Sequence, residues 1–172
     1  MEFSKRVVKD FFQHQEYAVE EIYNQTFPLL VKTAYNILLS REEAENIVQE
    51  TYLKALESSF SDVQGDFVAW LVVLCRNRAL NRKRDLRKKV SLDEKDLLTL
   101  SSEDNGNDSI YEEFLLTQMR KILSEEEFEI VSYVVYHELT YKQISTILGQ
   151  SKDQIAGKYH RAKIKLKRDL KL

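Results

Sequence analysis

Glycine and proline are scarce in this chain, with four and one among 172 residues. Tight turns between strands draw on those two residues, so the shortage counts against a sheet-rich fold. Cysteine occurs once, as Cys75 inside an apolar run. That rules out a disulfide within the chain and a cysteine-based metal site, and it fits a reducing cytosol. No apolar run approaches the ~18 residues of a membrane span. The opening Met1-Glu2-Phe3-Ser4-Lys5-Arg6 lacks the apolar core of a signal peptide. A soluble, cytoplasmic chain without membrane insertion is expected. His14 and His137 stand apart from other ligand types, and His160 reads as a solvated or phosphate-facing side chain, so no metal is expected. There is no glycine-rich phosphate loop and no nucleophile–base spacing, so neither a cofactor nor an enzyme is indicated. The runs Glu42-Glu43 and Glu125-Glu126-Glu127 sit at helix starts, where the dipole favours acids without any chemistry.

What is present suits helices: Leu, Glu and Lys are the commonest residues, with Ala and Gln beside them. The fold class expected is all-α. The net charge is only −2, yet charge is strongly patterned. Arg76 to Lys89 holds eight Lys or Arg against one Asp, and Ser91 to Glu113 holds eight Asp or Glu against one Lys. Ser151 to Leu172 again has eight Lys or Arg, against two Asp. The acidic stretch contains Asn105-Gly106-Asn107-Asp108-Ser109 and little apolar periodicity, and it reads as a flexible linker. The expected organisation is two small helical domains, 1–90 and 109–172, joined by an acidic linker over 91–108. The spacing predicts helices over 3–24, 27–39, 41–58 and 65–89, then over 109–122, 125–136, 141–148 and 152–170. Pro28 suits the first turn of the second. Capping boxes are predicted at Ser40–Glu43, Ser124–Glu127, Thr140–Gln143 and Ser151–Gln154.

Three stretches carry candidate sites. After Ser40, the residues Ala44, Ile47, Val48, Thr51, Tyr52, Ala55 and Leu56 form one core stripe. Leu53 falls on the opposite side with Asn46, Gln49 and Glu50. A large apolar residue centred on a polar face suits a protein contact, although a lone exposed leucine is also ordinary. In the next helix an apolar run, Phe67 to Leu74, gives way to a basic end. Trp70 and Cys75 read as core. The basic end can neutralise phosphates, and Asn77 and Asn81 share one side, where amides can bond base edges. Phe60, in the preceding loop, could support an unstacked base. The competing reading is a solvated helix end. Last, Thr140 to Leu148, a turn at Gly149-Gln150, and a helix capped by Ser151 make a helix-turn-helix layout. Tyr141, Ile144, Ile147 and Leu148 form the apolar side of its first helix. Ile155, Tyr159, Ala162, Leu166 and Leu170 form the core stripe of its second. Gln154, Gly157, Lys158, Arg161, Lys165 and Arg168 face away, where such helices enter the major groove.

Together these residues resemble the extracytoplasmic-function sigma factors, the smallest class of the main bacterial sigma family. Ala44-Glu45-Asn46-Ile47-Val48-Gln49-Glu50-Thr51-Tyr52-Leu53-Lys54-Ala55 is similar to the segment that grips the clamp helices of the polymerase β′ subunit. Phe67, Trp70-Leu71 and the run Arg76 to Arg84 resemble the region that binds and melts the minus-ten element. Leu139 to Gly149 and His160-Arg161-Ala162 resemble the minus-thirty-five reading domain. The resemblance implies core RNA polymerase (β′ clamp helices and β flap) and promoter DNA as partners, and an anti-sigma factor for many members. It implies core-polymerase binding through Asn46, Gln49, Glu50 and Leu53. Minus-ten contacts are implied for Phe60, Arg76, Asn77, Asn81, Arg82 and Arg84, with a flipped base read near Phe60, Asn77 and Asn81. Minus-thirty-five contacts are implied for Ser151, Gln154, Lys158, Arg161 and Lys165. The linker would lie in the RNA exit path. Three departures stand out. Asn46 and Asn81 replace the family's usual Asp, and Ala156-Gly157-Lys158 replaces its Lys-Ser-Arg run, which implies relaxed upstream recognition. The alternative is a stand-alone helix-turn-helix regulator, which would bind duplex tightly without polymerase.

Overall fold

The computed structural model describes residues 1–90 and 107–170, and no strand occurs among them. The expected linker therefore lies outside the described residues, apart from its last two positions. The chain divides into two units, Met1–Leu98 and Thr99–Leu172.

The first unit contains α1 (Lys5–Phe12), α2 (Glu16–Leu38), α3 (Arg41–Leu56), a 3-10 turn (Phe60–Asp62) and α4 (Phe67–Val90). The expected division of its first half is corrected. The chain breaks at Gln13–Gln15, not after residue 24, and Pro28 lies inside α2. His14 takes a left-handed backbone, φ 58°, and its ring Nε2 is 3.0 Å from the Leu56 carbonyl. A proline inside a helix costs about 3 kcal/mol. Here Ala18, Ile22, Thr26, Leu29, Leu30, Thr33 and Ala34 run as one buried stripe on both sides of it. Tertiary burial, not local propensity, holds that helix together. Pro28 and Asn24, whose carbonyl the missing N–H would have met, both lie on the exposed side of α2.

Helix α3 buries Ala44, Ile47, Val48, Thr51, Tyr52 and Ala55, as its periodicity predicts, while Leu56 is half-buried. These pack on Leu30 and Ala34 of α2 and on Leu71, Val72 and Cys75 of α4 to form the core. The Cys75 thiol is fully buried, and burial pushes its pKa up to about 12, so it is an inert apolar filler. Trp70 is only half-buried. It stacks on Phe67 at 5.8 Å in an aromatic cluster with Phe11, Phe12 and Phe60.

The second unit contains α5 (Asn107–Ile122), α6 (Glu125–Val135), α7 (Tyr141–Leu148) and α8 (Lys152–Leu170). Met119, Leu123, Phe128, Val131 and Ala162 form a core cluster. Ile144, Ile147 and Ile155 are buried where α7 meets α8. Tyr141, expected on the apolar side of α7, is exposed and leans toward the Tyr159 ring. It is the first residue of its helix, where the chain has not yet turned inward. Three capping boxes close in both directions, at Ser124–Glu127, Thr140–Gln143 and Ser151–Gln154. Gly149 ends α7 at φ 66°, a conformation that suits glycine. At Ser40 the hydroxyl accepts from the Glu43 N–H at 3.4 Å, but Glu43 turns its carboxylate to Arg82 and leaves the box half made.

Candidate nucleic-acid interface

The outward side of α3 carries Asn46, Gln49, Glu50 and Leu53 at i, i+3, i+4 and i+7, all exposed. Leu53, at 64% exposure, is the most exposed large apolar side chain among the described residues. Its position follows from α3 itself. Once Ala44, Ile47, Val48 and Thr51 face the core, residues 46, 49, 50 and 53 must face away. Glu50 also reaches across to Arg78 of α4, 3.3 Å away.

Helix α4 changes character along its length. Its first half is buried because Phe67, Val68, Ala69, Leu71 and Val72 fill the core, and Asp66 caps it by accepting from the Ala69 N–H at 2.8 Å. Its second half presents Asn77, Asn81 and Arg84 as one exposed stripe, and the Asn81 side-chain oxygen accepts from Arg84 at 3.1 Å. Leu80 is exposed beside them, an apolar contact that the sequence reading missed. Arg76 is half-buried. Arg82 does not point freely outward. Its Nε and one terminal nitrogen donate to the two Glu43 oxygens at 2.7 and 2.9 Å, a two-pronged clasp between α3 and α4. That bond raises the guanidinium pKa further.

Phe60 is placed elsewhere. It is 39% exposed and sits against Phe12 with Lys9 over its ring. An open cleft of about 200 Å³, lined by Phe3, Lys5, Val8, Phe60, Val63 and Phe67 among others, lies beside it. Asn77 and Asn81 do not line this cleft. Asn77 is a rise of about 15 Å along α4 from Phe67.

In the second unit, Ser151 and Gln154 are occupied in capping α8. The Ser151 hydroxyl accepts from the Gln154 N–H at 3.2 Å, and the Gln154 side chain accepts from the Ser151 N–H at 2.9 Å. Arg161 is exposed. Lys158 and Lys165 are both engaged. Lys158 Nζ donates to Glu126 at 2.7 Å and to Gln150 at 2.8 Å, and Gln150 in turn donates to Glu126. Lys165 Nζ donates to both Glu127 oxygens, at 2.7 and 2.8 Å. The bonds from Lys158 and Gln150 hold the Glu126 carboxyl below the usual carboxylate range. Burial pushes Glu127 upward, but the bonds from Lys165 and Ser124 outweigh it and leave it lowered. Glu126 and Glu127 read in the sequence as mere helix-dipole acids. Nothing local marks them as partners for cations more than thirty residues away. Among the described residues there is no group of His, Cys, Asp or Glu fit to hold a metal, and no helix long and apolar enough to cross a membrane.

Comparison with known proteins fits this layout. The model of Sigma-70 region 2 matches residues 22–89, which span α2, α3 and most of α4. RNA polymerase sigma factor YlaC of Bacillus subtilis (strain 168) is 23% identical over 161 residues, 89% of this chain and 92% of the relative. The ECF RNA polymerase sigma factor BldN of Streptomyces coelicolor is 25% identical over 152 residues, 84% of this chain and 57% of BldN. The chain thus carries a Sigma-70 region 2 and is similar to ECF sigma factors over most of its length. Two solved structures share the fold of this chain. CnrH in complex with the cytosolic domain of CnrY gives a TM-score of 0.68 at 17% identity, covering 96% of this chain and 95% of that one. RpoE in complex with the anti-sigma factor NepR from Bartonella quintana gives 0.67 at 20% identity, covering 89% and 96%. Sigma factors of this family bind core RNA polymerase and serve transcription initiation. The region 2 match on this chain includes both the Leu53 face and the Asn77 stripe.

Proposed function

We propose that this sigma factor carries core RNA polymerase to its promoters and opens the minus-ten element by holding unpaired bases. The observation that carries the proposal is Leu53, exposed at the centre of the polar stripe Asn46–Gln49–Glu50. That stripe docks on the β′ clamp helices, with Leu53 as the apolar anchor. Asn46 stands where the family has Asp, so this contact works through an amide. The Glu43–Arg82 and Glu50–Arg78 pairs tie α3 to α4. Docking on polymerase therefore also positions the DNA-facing helix. Along α4, Arg76, Asn77, Asn81, Arg82 and Arg84 follow the non-template strand. A flipped base is read near Phe60, Asn77 and Asn81, with the exposed Phe60 ring as the surface it rests on. No bond is made or broken. Opening is driven by binding energy that favours unpaired over paired bases.

The second unit holds the minus-thirty-five element through α8, with Arg161 and Gln154 nearest the bases and Ser151, Lys158 and Lys165 toward phosphates. Gly157 removes one side chain from this face and relaxes its selectivity. The β flap, an anti-sigma partner and a cytoplasmic site of action belong to the same proposal. The complexes of CnrH with CnrY and of RpoE with NepR support the anti-sigma element.

The test is Leu53→Asp. The variant should keep its helical circular dichroism, because the side chain touches solvent, yet fail to co-elute with core polymerase and to initiate transcription on genomic fragments. Normal co-elution and transcription by that variant would overturn the docking assignment.

A further inference from the structure

We propose that Glu126 and Glu127 set the DNA affinity of α8 by occupying, in the free chain, the ammonium groups of Lys158 and Lys165 that phosphates would otherwise take. The inference rests on the reading that α8 faces duplex DNA.

Three observations carry it. Lys158 and Lys165 are seven residues apart, so they lie on one flank of α8, two turns from each other. That flank faces α6, and each lysine meets one consecutive glutamate of the α6 start. The Lys158 arrangement is closed. Glu126 accepts from Lys158 and from Gln150 of the inter-helix turn, while Gln150 accepts from Lys158. Lys158 is only 25% exposed, and two of its three N–H groups are already taken. Arg161 lies on the outer side of the helix and remains exposed.

A phosphate oxygen and a carboxylate oxygen offer an ammonium much the same bond. DNA therefore gains from Lys158 only the difference between the two, and Glu126 adds a negative charge beside the approaching backbone. Lys158 and Lys165, two of the eight cations of the Ser151 to Leu172 stretch, are neutralised by α6 before DNA arrives. Counterion release scales with phosphates newly neutralised, so the salt slope falls short of what the charge count implies. Removing the Glu126 charge hands Lys158 to DNA.

The experiment measures binding of the full chain to a labelled random-sequence duplex by fluorescence anisotropy across a salt series. Glu126→Gln and Glu126→Ala should bind more tightly than the natural chain. One added phosphate contact steepens the slope of log affinity against log salt by about 0.9, which is roughly a 3.5-fold larger loss for each fourfold rise in salt. The gain should disappear in the Glu126→Gln/Lys158→Gln double variant. Unchanged or weaker binding by both Glu126 variants, or a gain that persists without Lys158, overturns the inference. Arg161→Ala separates the two readings. If it binds as the natural chain does, the DNA-facing assignment of α8 fails. If it weakens binding while Glu126→Gln changes nothing, only the competition by glutamate fails.

Discussion

The Thr26–Tyr52 contact offers a sharp test of how the core fixes the polymerase-facing helix. Both side chains are buried, and their hydroxyl oxygens lie 2.7 Å apart between α2 and α3. Thr26 also donates to the Ile22 carbonyl at 2.6 Å. A hydroxyl has one proton, so Tyr52 must be the donor to Thr26. Burial raises the Tyr52 pKa, which keeps that proton in place at any working pH. The two deletions are then unequal. Tyr52→Phe removes the donor, yet Thr26 keeps its bond to Ile22, so the cost is about 1 kcal/mol. Thr26→Val strands the Tyr52 O–H in an apolar core and costs about 1–3 kcal/mol. In the double variant nothing polar is left unpaired, so it should be more stable than Thr26→Val alone. For a unit of this size each kcal/mol moves the melting temperature by about 4–8 °C. Thermal melts of the four proteins give the cycle directly. Tyr52 neighbours Leu53 on α3, so promoter-independent binding to core polymerase should weaken in the same order. Additive losses, or a Tyr52→Phe variant less stable than Thr26→Val, would refute both the donor assignment and the coupling.

Two further outcomes follow from buried polar groups. The Thr33 hydroxyl on α2 is buried with no hydrogen-bond partner, so Thr33→Val should raise stability by about 1 kcal/mol, read as an upward shift in urea midpoint at unchanged slope. Glu126 and Glu127 both have lowered pKa values, so their ion pairs stabilise the fold above the unfolded carboxylate range and are lost as pH falls through the folded values. Urea unfolding at pH about 7, 5 and 3.5 should show the natural chain losing more stability in the last step than Glu127→Gln; equal losses would refute this.

Much of the secondary structure was legible because its causes are local. The core stripe from Ala44 to Ala55 needs only the helical period. The boxes at Ser124, Thr140 and Ser151 need only a hydroxyl and a Glu or Gln three residues on. The outward position of Leu53 is then geometry. The break at His14 was not legible. The stripe continues through Pro28, and the burial that outweighs its cost comes from α3 and α4.

The candidate site was legible in residue type more than in availability. Arg82, Lys158 and Lys165 were rightly read as cations on the basic helices, but their carboxylate partners lie thirty-nine, thirty-two and thirty-eight residues away in sequence. Sequence by itself determined most helical segments beyond residue 40, three of their caps, the core stripe of α3 and where the positive charge lies, since these depend on neighbours within one or two turns. Tertiary structure alone decided which carboxylate each cation meets, which helix survives its proline and which recognition groups stand near one another. Those outcomes depend on distances through space that no local pattern encodes.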